Sequence, residues 1–179
     1  MMDKLELFID RLTDYKATVA RAANNSEVSA LVFRFLQEVG ASSVVVPPGL
    51  DKNWIKTTVA SSIRVQSDNT PLSKEILNET SAVVTAASAA IAETGTLVLD
   101  HRPNQGRRII SLLPDTHICI VQAEQIFSTV AEAVDQLTFS MSERRPMTWI
   151  SGPSATVDIE LIRVEGVHGP RNLYVIIVD

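Results

Sequence analysis

The chain has 179 residues, of which 45% are apolar, and a formal charge of −5 at pH 7. That length fits one domain with its own core, the apolar content excludes disorder, and the negative balance argues against generic nucleic-acid binding. A single cysteine, Cys119, excludes an internal disulfide, and Asp3, Lys4, Glu6 and Asp10 interrupt the first apolar residues, so a cytoplasmic setting with no signal peptide and no membrane span is expected.

Residues 3 to 22 place Leu5, Phe8, Ile9, Leu12 and Val19 at helical spacing, which predicts an amphipathic helix. A second helix follows, with Ser26 as its cap, Val28, Leu31, Val32, Phe35, Leu36 and Val39 as its stripe, and Gly40 as its stop. Ser43 to Val46 then reads as a buried strand closed by Pro47-Pro48-Gly49. A short helix carrying Trp54 is expected over 50–56, and a strand over 62–66. Thr70-Pro71 opens a further helix with Leu72, Ile76 and Leu77 inward, and Ala82 to Thr85 is a strand. Ala89 to Ala92 and Thr96 to Leu99 flank Glu93-Thr94-Gly95 as a hairpin with glycine in its turn.

Arg107 to Leu113 predicts one or two helical turns ended by Pro114, and His117 to Val121 a strand on which a half-exposed His117 and a buried Cys119 share a face. Glu124 to Leu137 reads as a helix, Thr148 to Ile150 as a strand, Thr156 to Val164 as a helix, and Leu173 to Val178 as a strand covered on both faces. Alternating strands and helices imply a three-layer α/β fold with a mostly parallel sheet and one antiparallel hairpin. Residues 1–179 are expected to form one domain, with the helices of residues 1–40 packed on it as a cap or as the dimer contact of a homo-oligomer.

Phosphate-loop, dinucleotide-turn and nucleophile-elbow signatures are absent from the sequence, and His117 with Cys119 does not make a zinc site. Three turns at strand ends remain, where open α/β sheets bind ligands. In the first, Glu93 is a carboxylate beside Thr94, Gly95 and Thr96; the plain alternative is an exposed hairpin turn. In the second, Ser151, Gly152 and Ser154 offer amides and hydroxyls at an expected helix start bearing Asp158 and Glu160, a seat for a carboxylate or phosphate as well as a cap. The third pairs His168 with Arg171 in a turn fixed by two glycines and a proline, which makes His168, with Glu93, the candidate for proton transfer or nucleophilic chemistry. Gly106 and Arg107, in a stretch that also holds Arg102 and Arg108, suggest an anion contact, against a solvated loop as the plain reading.

Ala-Glu-Thr-Gly-Thr-Leu-Val (92–98), Ser-Gly-Pro-Ser-x-Thr-x-Asp-Ile-Glu (151–160) and Gly-Val-His-Gly-Pro (166–170) resemble, in that order, the LUD-domain family in its lactate-utilisation protein C branch. Residues 106–114 and 117–121 also fit the pattern, which covers 81–179 well and the first 80 residues only in general organisation. The resemblance implies a fold of the ribose-phosphate-isomerase/CoA-transferase type. It also implies a part in oxidising L-lactate to pyruvate, with two partner proteins expected to carry iron–sulfur chemistry. With one cysteine the chain has no cluster-binding set, so no cofactor and no metal are expected on it, and its ligand is expected to be a small anionic metabolite. Ala155 departs from the family, which often has a basic residue there. The competing expectation is an acyl-CoA transferase or sugar-phosphate isomerase using Glu93, because CoA transferases of this fold carry a similar Glu-x-Gly turn. A purely structural interaction module is the third.

Overall fold

The computed structural model describes residues 3–137, 145–157, 163–165 and 168–179. Its frame is a six-stranded sheet built from β1 (Thr18–Ala22), β2 (Ser43–Val46), β3 (Arg64–Ser67), β4 (Ala82–Ala86), β7 (Thr116–Gln122) and β12 (Asn172–Val178). Their order is β1-β12-β7-β4-β2-β3, and every pairing is parallel. A second sheet, in the order β8-β5-β6-β9, contains β5 (Ala89–Ile91), β6 (Thr96–Leu99), β8 (Ile126–Phe127) and β9 (Thr148–Ile150). The hairpin pairing of β5 with β6 is antiparallel, as is that of β6 with β9.

Strand β12 shows why the central strands are apolar throughout. Ile176 and Val178 pack into one core with Val32, Phe35 and Leu36 of helix α2 (Asn25–Glu38), while Leu173, Val175 and Ile177 pack into another with Phe8 and Leu12 of helix α1 (Lys4–Asp14). Successive side chains point to opposite faces, so a strand covered on both sides has no polar face to show. The second core also takes Leu97 and Leu99, so the smaller sheet lies on the α1 face of the larger one. Helix α4 (Lys74–Glu79) and the 3₁₀ turn Arg108–Ser111 bring Leu77 and Ile110 against Val45 and Val83.

Several expectations are corrected. The first helix stops at Asp14, Lys16 takes φ 70°, and Thr18–Ala22 is the edge strand β1 rather than more helix. Pairing with β12 supplies backbone bonds that outweigh the helical preference of Ala20 to Ala22. The two N-terminal helices are therefore separated by a strand, and α2 is capped by Asn24, whose side chain accepts from Glu27 N at 3.0 Å, rather than by Ser26. The helix expected over 124–137 is only α5 (Val130–Gln136), because the 3₁₀ turn Ala123–Gln125 and β8 come first. Trp54 sits on the 3₁₀ turn Lys52–Ile55, which leads into α3 (Lys56–Val59), and α4 starts after Ser73, so Pro71 lies outside it.

One further correction bears on the site. The segment read as a helix over 156–164 contains β10 (Ala155–Val157) paired antiparallel with β11 (Arg163–Glu165). Val157, Ile159 and Leu161 alternate with Asp158 and Glu160, a period of two in a β-branched run, which is a strand pattern. Ser151–Ser154 lead directly into β10, so no helix start among the described residues supplies a dipole there.

Candidate functional site

The loops at the two ends of the parallel sheet differ. At the carboxyl ends, residues 100–107 lie across the strands: Ala86 N donates to Asn104 O at 3.1 Å and Gly49 N to Pro103 O at 2.9 Å. Arg107 closes this end. Its Nε and Nη2 donate to the two carboxylate oxygens of Asp68, both at 2.7 Å, and Nη2 also reaches Leu72 O at 3.1 Å. Burial of Asp68 opposes its charge, but the Arg107 bonds, the Leu72 amide and the guanidinium's charge together hold its carboxyl below the usual range. Arg107 is thus committed to an ion pair. Gly106 contributes its carbonyl, which accepts from His101 Nδ1 at 3.0 Å, while His101 Nε2 meets Thr148 Oγ1 at 2.8 Å.

A cleft of about 270 Å³ opens at the other end, beside the first residues of β7 and β12. Its walls are Thr148–Ser154, His168–Pro170, and Arg108 with Ser111 and Leu112 from their 3₁₀ turn; His117 and Leu173 also line it. The second and third sequence turns meet here. Ser154 N donates to Pro170 O at 2.8 Å, and His168 N donates to Ser154 Oγ at 3.3 Å. The first turn adjoins them without lining the cleft: Thr96 Oγ1 lies 2.7 Å from Ser151 Oγ and 2.7 Å from Thr94 Oγ1. Helix α1 seals that junction. A Cβ on Gly95 would stand 2.6 Å from Arg11 Cβ, and one on Gly152 would stand 2.9 Å from Tyr15 Cβ.

Glu93 points elsewhere. Its exposed carboxylate accepts from Val130 N at 2.7 Å, at the start of α5. Arg171 is exposed and sits 3.5 Å from Asp115 at the strand entrance. Asp158 and Glu160 lie outside the described residues, as do Gly166 and Val167 of the third turn.

Two lining residues were not singled out as site residues by the sequence, although Arg108 lies in the arginine stretch read as an anion contact. The Arg108 side chain is exposed and has no hydrogen-bonding or ionic partner among the described residues, in contrast to Arg107 beside it. His117, expected to be half-exposed, is 1% exposed, because the smaller sheet and the cleft walls cover that face of β7. Its Nε2 is 2.8 Å from Thr85 Oγ1, and burial pulls its pKa down to about 4, so the ring is neutral. Cys119, two residues on, is fully buried with its thiol pushed up to about 12, which removes it as a nucleophile. The described lining contains one guanidinium, two imidazoles, several hydroxyls and no carboxylate. Such a set favours an anion. The available signal for His117 was a polar ring at the start of an otherwise apolar strand.

The sequence pattern of the LUD domain family matches residues 5–178. This is a LUD-domain protein. It is 47% identical over 174 residues to the lactate utilization protein C of Deinococcus radiodurans, covering 97% of this chain and 79% of that one. It is 29% identical to the uncharacterized protein YkgG of Escherichia coli K12, covering 98% and 80% of the two chains. The crystal structure of a DUF162 family protein from Deinococcus radiodurans superposes with a TM-score of 0.84 at 38% identity and full coverage of both chains. Among the described residues of this LUD-domain chain, no helix is long and apolar enough to cross a membrane.

Proposed function

We propose that this LUD-domain protein is the C component of a lactate-utilisation system and binds a small anionic metabolite in the cleft at the amino ends of β7 and β12. The place in lactate utilisation rests on the 47% identity to a protein of that name across nearly the whole chain. The anion rests on one observation, the unpaired Arg108 guanidinium beside a lining that holds no carboxylate among the described residues. Ser151, Gly152, Ser154 and His168 surround the ligand, and Thr96 braces Ser151 from behind. With a single, buried cysteine the chain cannot supply the thiolate set of an iron–sulfur cluster, so electron transfer falls to partner proteins of that system. The chain acts as one unit, since α1 packs on both the Gly95 and the Gly152 turns.

Transferase or isomerase chemistry through Glu93 is not favoured. Its carboxylate is spent on the α5 amide and does not line the cleft.

The test is genetic and biochemical. Deleting the gene is expected to impair growth on L-lactate and spare growth on pyruvate. The wild-type gene restores growth, whereas Arg108→Gln at equal protein level does not. Equal growth of the deletion strain on both carbon sources refutes the lactate role; full rescue by Arg108→Gln refutes the anion site.

A further inference from the structure

The buried imidazole in the cleft wall has no role in the reading above. His117 lines the cleft with 1% exposure, and its Nε2 is turned to Thr85. No partner for its other ring nitrogen, Nδ1, exists among the described residues. A ring nitrogen with no protein partner among the described residues, on a side chain that lines the cleft at 1% exposure, marks a place for a ligand atom or water.

Which kind of atom depends on where the ring carries its hydrogen, and Thr85 decides that. Its hydroxyl has one hydrogen and two neighbours able to accept it, His117 Nε2 at 2.8 Å and Cys119 Sγ at 3.8 Å. The imidazole lone pair is both nearer and the stronger acceptor, so the hydroxyl donates to Nε2. A neutral ring then carries its own hydrogen on Nδ1. The ring is neutral because burial disfavours its charged form.

We infer that His117 is a specificity-determining donor: its Nδ1–H, fixed by Thr85, bonds an oxygen on the carbon next to a carboxylate that Arg108 holds. This rests on the anion-binding reading and adds the second point of recognition. Thr85 is a positioning residue, since it acts only through the ring. A carboxylate without the neighbouring oxygen leaves a buried N–H unpaired, which weakens binding about tenfold.

Pyruvate and propionate differ at that oxygen and serve as probes in calorimetric titrations of the whole chain. Wild-type protein is expected to bind pyruvate about tenfold more tightly than propionate. His117→Phe keeps a ring of similar size without the donor, so the preference falls to about one. His117→Asn places an amide N–H near the Nδ1 position, so part of the preference returns. Long-range proton–nitrogen NMR of the free protein reads the tautomer without any ligand. Nδ1–H is expected in the wild type, and its loss is expected in Thr85→Val. A ring protonated at Nε2, or a preference that survives His117→Phe, overturns the inference and leaves the anion site standing. Failure of every anion to bind wild-type protein overturns both. Should His117→Phe not fold, the wild-type tautomer and the probe preference decide the matter between them.

Discussion

Gly95 is where the hairpin turn meets helix α1, and replacing it with alanine tests whether that contact is as tight as it looks. Gly95 has φ 58°, a left-handed conformation that costs a residue with a Cβ about 1–2 kcal/mol. The added Cβ would also stand 2.6 Å from Arg11 Cβ, 3.1 Å from Arg11 C and 3.1 Å from Leu12 N. These atoms belong to the helix itself and cannot swing aside as a side-chain tip would, so overpacking adds about 1–3 kcal/mol. Gly40 supplies the control, because its φ is 62° and nothing lies within 4 Å of its Cβ position. Gly40→Ala carries the conformational cost alone. Any gain from stiffening the unfolded chain is common to both variants. Gly95→Ala is therefore expected to lose about 3 kcal/mol and Gly40→Ala about 1 kcal/mol in urea unfolding. For a chain of this size that corresponds to drops in Tm of about 10 °C and about 3 °C. Equal losses in the two variants would refute the claim that α1 clamps the turn.

Two further predictions concern groups outside the cleft. Asp68 has a depressed pKa in the folded chain, so its contribution to stability is complete above the unfolded value of about 3.9 and is lost as pH falls through the folded value. Asp68→Asn is expected to lower stability at pH 7 by about 1–2 kcal/mol, discounted because the Arg107 side chain is 40% exposed, and to flatten the acid limb of the stability curve. An unchanged acid limb counts against the ion pair. Cys119 is expected to resist thiol reagents in the native chain at pH 8 and to react fully in denaturant. Rapid native labelling would show that the strand face is open.

Much of the fold was legible in the sequence because it follows from local pattern. The apolar runs at 43–46 and 173–178 mark strands covered on both faces, and Gly95 between two short apolar runs marks a hairpin with a left-handed turn. The family motifs likewise lie on contiguous residues. Where two periods competed, the reading failed. Thr18–Ala22 continues a helical pattern but pairs with β12, and the run after Ser154 alternates as a strand although Pro153 suggested a helix start.

The cleft belongs to the tertiary structure alone. Arg107 and Arg108 are neighbours with the same charge, and no local rule says that the first will bind Asp68, 39 residues away, while the second stands free among the described residues. Thr96 meets Ser151 across 55 positions, and His117 meets Thr85 across 32. Patterning along the chain marks most of the strands, helices and turns, because those choices depend mainly on near neighbours; β1 is the exception, decided by its pairing with β12. Which turns converge, and which polar atoms remain unpaired where they converge, depends on long-range strand pairing, and only the assembled sheet decides it.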